Sequence, residues 1–170
     1  MPTYKITPAT FPGDKQAVTA LFTAYTAALG IDLTFQNYQI ELDSLPGKYA
    51  PEQGDCLLVA RDDESNQFVG CVAYRALPST NPDNNDSGKR YCEMKRLYLS
   101  PSARGTGLGT KLVEAIIEHA RASGQYNGMR LDTLPSMESA RALYKRYGFG
   151  EVERYYETPL EGTIFMGLEF

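Results

Sequence analysis

In the run RLYLSPSARGTGLGTKLVEAIIEHA, an apolar segment, Leu97-Tyr98-Leu99, ends at Ser100-Pro101. Gly105, Gly107 and Gly109 then alternate with other residues ahead of a long amphipathic stretch. Glycine is about 1 kcal/mol worse than alanine inside a helix, so three of them at a helix start need a physical reason. Glycine permits positive φ and lets other atoms come close to the backbone. A helix start also carries unbonded N–H groups and the positive end of the dipole, a setting that suits phosphate. The stretch Arg104-Gly105-Thr106-Gly107-Leu108-Gly109-Thr110 therefore fits a phosphate-bearing ligand, and Lys95, Arg96, Arg104 and Lys111 gather positive charge around it. A tight strand-to-helix connection without a ligand is the alternative. Two familiar phosphate templates fail. A Walker loop needs glycine directly before Lys-Ser or Lys-Thr, whereas Thr110 separates Gly109 from Lys111. The dinucleotide fingerprint is GxGxxG, and the spacing here is GxGxG.

The other reactive residue types offer less. His119 is the single histidine and falls on the apolar stripe of the long helix, which predicts a partly buried structural role. Cys56, Cys71 and Cys92 are widely spaced, without CxxC or Cys/His ligand spacing, so no zinc site or disulfide framework is expected and buried free thiols are. Cys92 has no local histidine to activate it as a nucleophile.

A chain of 170 residues fits one domain spanning 1–170. The net charge of −4 gives no general affinity for nucleic acid or anionic membrane. The acidic excess lies in the first half, which leaves the positive charge near the glycine turn as a local feature. The start of the chain lacks the apolar stretch of a signal peptide, and no run approaches a membrane span. A cytoplasmic enzyme or binding protein is the expectation.

The elements that must position these residues follow from periodicity. A short strand at Tyr4–Thr7 precedes a helix with Val18, Leu21, Phe22, Tyr25 and Leu29 on one face, stopped by Gly30. Phe35–Leu45 reads as a second, weaker helix, and PGKYAPEQGD as a loop. Strands are predicted at Cys56–Arg61, Phe68–Ala76 and Tyr91–Leu99, with the polar loop LPSTNPDNNDSGKR before the last reading as a mobile lid or an insertion. Gly107–Ser123 is the clearest helix, with Leu108, Leu112, Ala115, Ile116, His119 and Ala122 as its stripe. A strand at Met129–Thr133 follows, then a helix capped by Ser136 and ended by Gly148. Glu151–Tyr156 and Thr163–Glu169 close the chain as strands around the turn TPLEG. The order is βααβββαβαββ, a mixed α/β sheet with helices on its faces.

Arg104-Gly105-Thr106-Gly107-Leu108-Gly109 matches the pattern Arg/Gln-x-x-Gly-x-Gly/Ala, and SARALYKRYGF resembles A-x-x-L-Y-x-x-x-G-F at Ala140, Leu143, Tyr144, Gly148 and Phe149. On these residues the chain resembles the GNAT superfamily of N-acetyltransferases, most closely over Tyr91–Phe149, with a further likeness in the tail Pro159-x-x-Gly162-x-x-x-Met166. The resemblance implies the acyl-CoA N-acyltransferase fold and acetyl-CoA as co-substrate, without a metal. Main-chain amides from Arg104 to Thr110 would hold the coenzyme diphosphate. Leu97, Tyr98 and Leu99 would pair with the pantetheine arm, and an N–H at Leu97 or Tyr98 would polarise the thioester. Tyr144 would protonate the leaving thiolate, and Glu93 would take a proton from the amine. Many relatives have asparagine where Met137 stands. The implied reaction is acetyl transfer to a primary amine of a small molecule or peptide. A non-catalytic acyl-CoA-binding or interaction module of the same fold is the alternative, and dimers are common among relatives. Tyr155, Tyr156 and the TPLEG turn either border the acceptor site or are ordinary strand aromatics.

Overall fold

Residues 1–32, 37–50, 55–78 and 88–170 are described in a computed structural model of the chain. The strands are β1 (Tyr4–Pro8), β2 (Cys56–Asp62), β3 (Phe68–Ala76), β4 (Tyr91–Leu99), β5 (Gly128–Thr133), β6 (Gly150–Glu151) and β7 (Ile164–Glu169). The α-helices are α1 (Lys15–Leu29), α2 (Tyr38–Asp43), α3 (Leu108–Ala122) and α4 (Glu138–Arg146). Their order is the predicted βααβββαβαββ.

The strands form one sheet, β1-β2-β3-β4-β5-β7-β6. Every neighbouring pair is antiparallel except β4–β5, at the centre. Alternation of side chains along each strand makes two apolar faces. One is covered by α3 and α4, where Leu112 and Ile116 meet Val72, Met94 and Leu131. The other is covered by α1 and the turn at Gly47–Tyr49, where Val18, Phe22 and Tyr49 meet Val59 and Ala73. The central strands are therefore apolar on both sides, and a charged group on them needs a partner.

Several boundaries differ from the sequence reading. The second helix spans only Tyr38–Asp43, while residues 35–36 of the predicted Phe35–Leu45 lie outside the described residues. So do residues 79–87 of the predicted lid or insertion. The buried stripe of α3 runs through Leu108, Leu112, Ile116 and Ala120, with Val113 and Ile117 beside it. This displaces His119 and Ala122 to the exposed flank. His119 is nonetheless tied down, its Nδ1 lying 3.0 Å from the Tyr74 hydroxyl. Met137, not Ser136, occupies the N-cap of α4, with no side-chain cap. The predicted strand Glu151–Tyr156 is reduced to Gly150–Glu151. Tyr155 and Tyr156 leave the sheet and stack on Phe165, with ring centroids 5.0 and 5.3 Å away.

Candidate active site

The site begins with an irregularity in β4. Cys71 pairs with Tyr98 and Ala73 with Lys95. Val72 thus faces two residues, Arg96 and Leu97, and Arg96 takes φ +60°. A non-glycine residue there is uncommon, and such strain concentrates at functional sites. The bulge resets the alternation of side chains. Leu97 and Leu99 pack into the core under α3 with Met94. Lys95 and Arg96, adjacent in sequence, both serve the opposite face. Period two alone would group Glu93 with Lys95, Leu97 and Leu99, and the bulge is what separates the leucines from that set.

The second determinant is where β4 and β5 part. Their parallel pairing covers Tyr91–Glu93 against Gly128–Arg130 and stops. Beyond it β5 stays paired with β7 as far as Thr133. Among the described residues, the β4 edge from Met94 onward thus has no strand on its β5 side. A cavity of about 60 Å³ occupies the wedge. Leu97, Met137 and Tyr144 line it from the α3/α4 side, and Tyr25, Lys95 and Asp132 from the α1 side. Its lining therefore draws on residues from both faces of the sheet.

On the first face lies the glycine turn. Gly105 and Gly107 have φ +74° and +84°, which glycine adopts without strain. Lys111 donates its N–H to the Gly107 carbonyl. Among the described residues no acceptor meets the amides from Gly105 to Thr110. The Arg104 Nε donates to the Leu99 carbonyl at 3.2 Å, which fixes the turn against the end of β4. The residues present thus fit a diphosphate: a row of open N–H donors at a helix start. Gly109 serves a different end, since a Cβ there would lie 3.2 Å from Leu99 Cδ1, so the helix can approach β4 only without one. Among the described residues no cluster of histidine, cysteine and acidic side chains could hold a metal.

Tyr144 is core and cavity wall at once. It is 6% exposed, stacks on Phe149 at 5.9 Å, and lines the wedge. Burial raises its phenol well above the ordinary range, and Tyr25 and Asp132 add to the effect. It stays protonated at any working pH.

The face toward α1 and α2 is charged. Glu93 is 1% exposed and does not border the cavity. Its Oε1 accepts from Arg75 Nη2 at 3.2 Å and faces Lys95 Nζ at 3.4 Å, and its Oε2 accepts from the Tyr155 hydroxyl at 2.5 Å. Burial pushes its carboxyl up, but Lys95, Tyr155 and Arg75 together bring it below the usual range. Asp132 does line the cavity, and its Oδ2 accepts from the Tyr156 hydroxyl at 2.5 Å. Arg96 pairs with Glu41 of α2 at 2.8 Å, with both side chains buried, and the Tyr49 hydroxyl donates to the same carboxylate at 2.7 Å. Arg96 also lies over Tyr25 and Tyr38, at 5.7 and 5.5 Å.

Thus the wedge brings together Leu97, Tyr144 and the end of β4 that carries the glycine turn, while Glu93 sits behind Lys95. Asp132, Glu41 and the roles of Lys95 and Arg96 were missed in the sequence. For Asp132 a signal existed: it is a charged residue in RLDTLP, near the carboxyl end of a central strand, where α/β sheets bind ligands.

The wedge between two central strands and the glycine turn with open amides sit at the same end of β4. The acetyltransferase (GNAT) family model matches residues 19–149. The chain belongs to this family. An uncharacterised N-acetyltransferase of Schizosaccharomyces pombe is 40% identical over 158 residues, covering 93% of this chain and 90% of that protein. Among solved structures, a GNAT-family acetyltransferase of Staphylococcus aureus has a TM-score of 0.74 at 17% identity and covers 98% of this chain and 99% of that one. A chain of the NatC complex bound to Gag peptide and CoA has a TM-score of 0.72 at 20% identity, over 99% of both. These structural likenesses carry the GNAT fold, while the family follows from the sequence matches.

Proposed function

We propose that this GNAT-family chain transfers the acetyl group of acetyl-CoA directly to a primary amine. The observation that carries the reading is the continuity of the open amides at Gly105–Thr110 with the unpaired β4 edge and Tyr144. The coenzyme would supply an activated acetyl thioester. The amides from Gly105 to Thr110, with Arg104 beside them, hold its diphosphate. The β4 edge at Leu97–Leu99 takes the pantetheine arm as an added strand. The Leu97 N–H polarises the carbonyl, since the Tyr98 N–H is turned toward Cys71 of β3; such a donor is worth about 3 kcal/mol of barrier in oxyanion-hole settings.

The acceptor comes from the α1 side. An amine arrives as ammonium and must shed a proton before attack. Asp132, rather than the enclosed Glu93, is the carboxylate at the cavity to receive it and pass it to solvent. The nitrogen then bonds to the carbonyl carbon and the C–S bond breaks. Tyr144 gives its proton to the departing thiolate and regains one, through solvent, from the nitrogen. Glu93 holds Lys95, Arg75 and Tyr155 in place.

The test is calorimetry with CoA, followed by thiol release from acetyl-CoA over a panel of primary amines. Binding with turnover is expected. No heat at millimolar CoA overturns the donor site. Tight binding without turnover on any amine overturns the catalytic reading in favour of a binding module.

A further inference from the structure

The cation at the acceptor side of the wedge is under-compensated. Lys95 is 7% exposed in its side chain and borders the cavity. An ammonium has three donors to place. Among the described residues its close partner is one carboxylate oxygen, Glu93 Oε1, at 3.4 Å. Arg75 bonds that same oxygen through Nε and Nη2, at 3.3 and 3.2 Å. The remaining oxygen of Glu93 is taken by Tyr155. One carboxylate thus answers two cations.

Neighbouring charge does not close the gap. Glu41 is committed to Arg96 and Tyr49. Lys48 adds positive charge, since Arg75, Lys95 and Arg96 all act to lower its pKa. Asp132, on the other strand of the wedge, favours the Lys95 ammonium through its charge without forming an ion pair with it, and its Oδ2 accepts from the Tyr156 hydroxyl. Burial pulls the Lys95 ammonium down from its usual range despite Glu93, as expected of a cation short of anions. A lysine turned into a cavity in this state is poised to take an anion from outside. Plain alternation from Glu93 puts Lys95 on this face, and the bulge adds Arg96 to it.

Asp132 and Lys95 therefore present opposite charges from the two sides of one small cavity. We infer that the acceptor is a zwitterion, a small primary amine carrying its own anionic group within a few bonds, with its ammonium at Asp132 and its anion at Lys95. Free amino acids and their phosphonate analogues have this chemistry. A peptide N-terminus does not, because a neutral amide stands where the anion should be. The inference rests on the acetyltransferase reading above and narrows its acceptor class.

The experiment compares, in the unmodified protein, matched sets of acceptors: an amino acid, its carboxamide and its decarboxylated amine, for several side chains. Acetyl-CoA is the donor and thiol release the readout. The acid is expected to exceed the amide at least tenfold in kcat/KM. Lys95→Gln should bring that ratio close to one, chiefly through KM, and Lys95→Arg should restore part of it. Equal or better turnover of amides, decarboxylated amines or peptides by the unmodified protein overturns the zwitterion reading and leaves acetyl transfer standing. A ratio that survives in Lys95→Gln overturns the assignment to Lys95. Bound CoA with no turnover of any amine overturns both readings together.

Discussion

Replacing Glu41 with alanine tests how the acceptor side is held. The carboxylate has two buried partners, Arg96 at 2.8 Å and the Tyr49 hydroxyl at 2.7 Å, and the Glu41 and Arg96 side chains are only 4% and 2% exposed. Alanine removes that carboxylate from beside the Arg96 guanidinium, which also lies over Tyr25 and Tyr38. Breaking a buried pair from one side costs about 3–5 kcal/mol. At roughly 2–4 °C per kcal/mol for a chain of this size, the melting temperature should fall by about 6–20 °C. Arg96 is also the bulge residue at φ +60°, so the wedge should loosen and turnover fall with stability. The companion variant Glu41→Leu/Arg96→Met removes both charges and keeps the volume. Paired hydrophobic replacement is often neutral, so the double variant should be more stable than Glu41→Ala. Thermal denaturation of the three proteins by circular dichroism decides the matter. If Glu41→Ala melts within about 2 °C of the unmodified protein, or the double variant melts lower still, the pair does not anchor α2 to β4.

Gly107→Ala meets no atom within 4 Å, so its direct cost is the φ of +84°, about 1–2 kcal/mol of strain. CoA affinity should fall about tenfold by calorimetry, and unchanged affinity would remove the diphosphate from this turn. Tyr144→Phe keeps the packing on Phe149 and deletes the proton donor, so kcat should fall about a hundredfold with little change in melting temperature. Burial pushes the thiols of Cys56, Cys71 and Cys92 up to about 12, so a thiol reagent should label none of them until the protein unfolds. Glu93 has a depressed pKa, so its contribution to stability is present above about pH 4.3, its ordinary value, and is lost as pH falls through the folded value. Acid unfolding monitored by tyrosine fluorescence should therefore be less steep in Glu93→Gln than in the unmodified protein.

The glycine turn was legible because it is local. Main-chain amides of consecutive residues form the glycine turn, and the glycines that allow it stand in the sequence at fixed spacing. The strong period of α3 and the strand before it fix where that turn sits. Even so, periodicity misplaced the stripe by about one residue, because Val113 and Ile117 widen the buried face and push His119 out. The strand predicted at Glu151–Tyr156 failed for a related reason. Two tyrosines read as strand-forming residues, but their rings are held by Phe165 and their hydroxyls by Glu93 and Asp132, and none of these three partners is visible from the local pattern.

The charged face of the wedge is assembled from residues that meet only in the fold. Glu41 comes from a six-residue helix, Arg75 from β3, Lys95 from regular β4, Arg96 from its bulge, Asp132 from β5, and the two tyrosines from a loop. Each looks like a solvated charge or a strand aromatic when read alone. The bulge decides which of them meet. Without it, Lys95 and Arg96 would face opposite sides of the sheet, one of the two charges would enter the apolar core under α3, and Leu97 would be turned away from Met94. Deleting Leu97 should therefore do more than shorten a strand. It would restore strict alternation, keep the flanking residues on their faces and carry Arg96 into the apolar core under α3. The expected outcome is a protein that fails to fold, whereas a deletion in the exposed Glu64–Asn66 turn should be tolerated. Native folding of the bulge deletion with acceptor selectivity intact would mean that the charge pattern at the wedge does not depend on this irregularity.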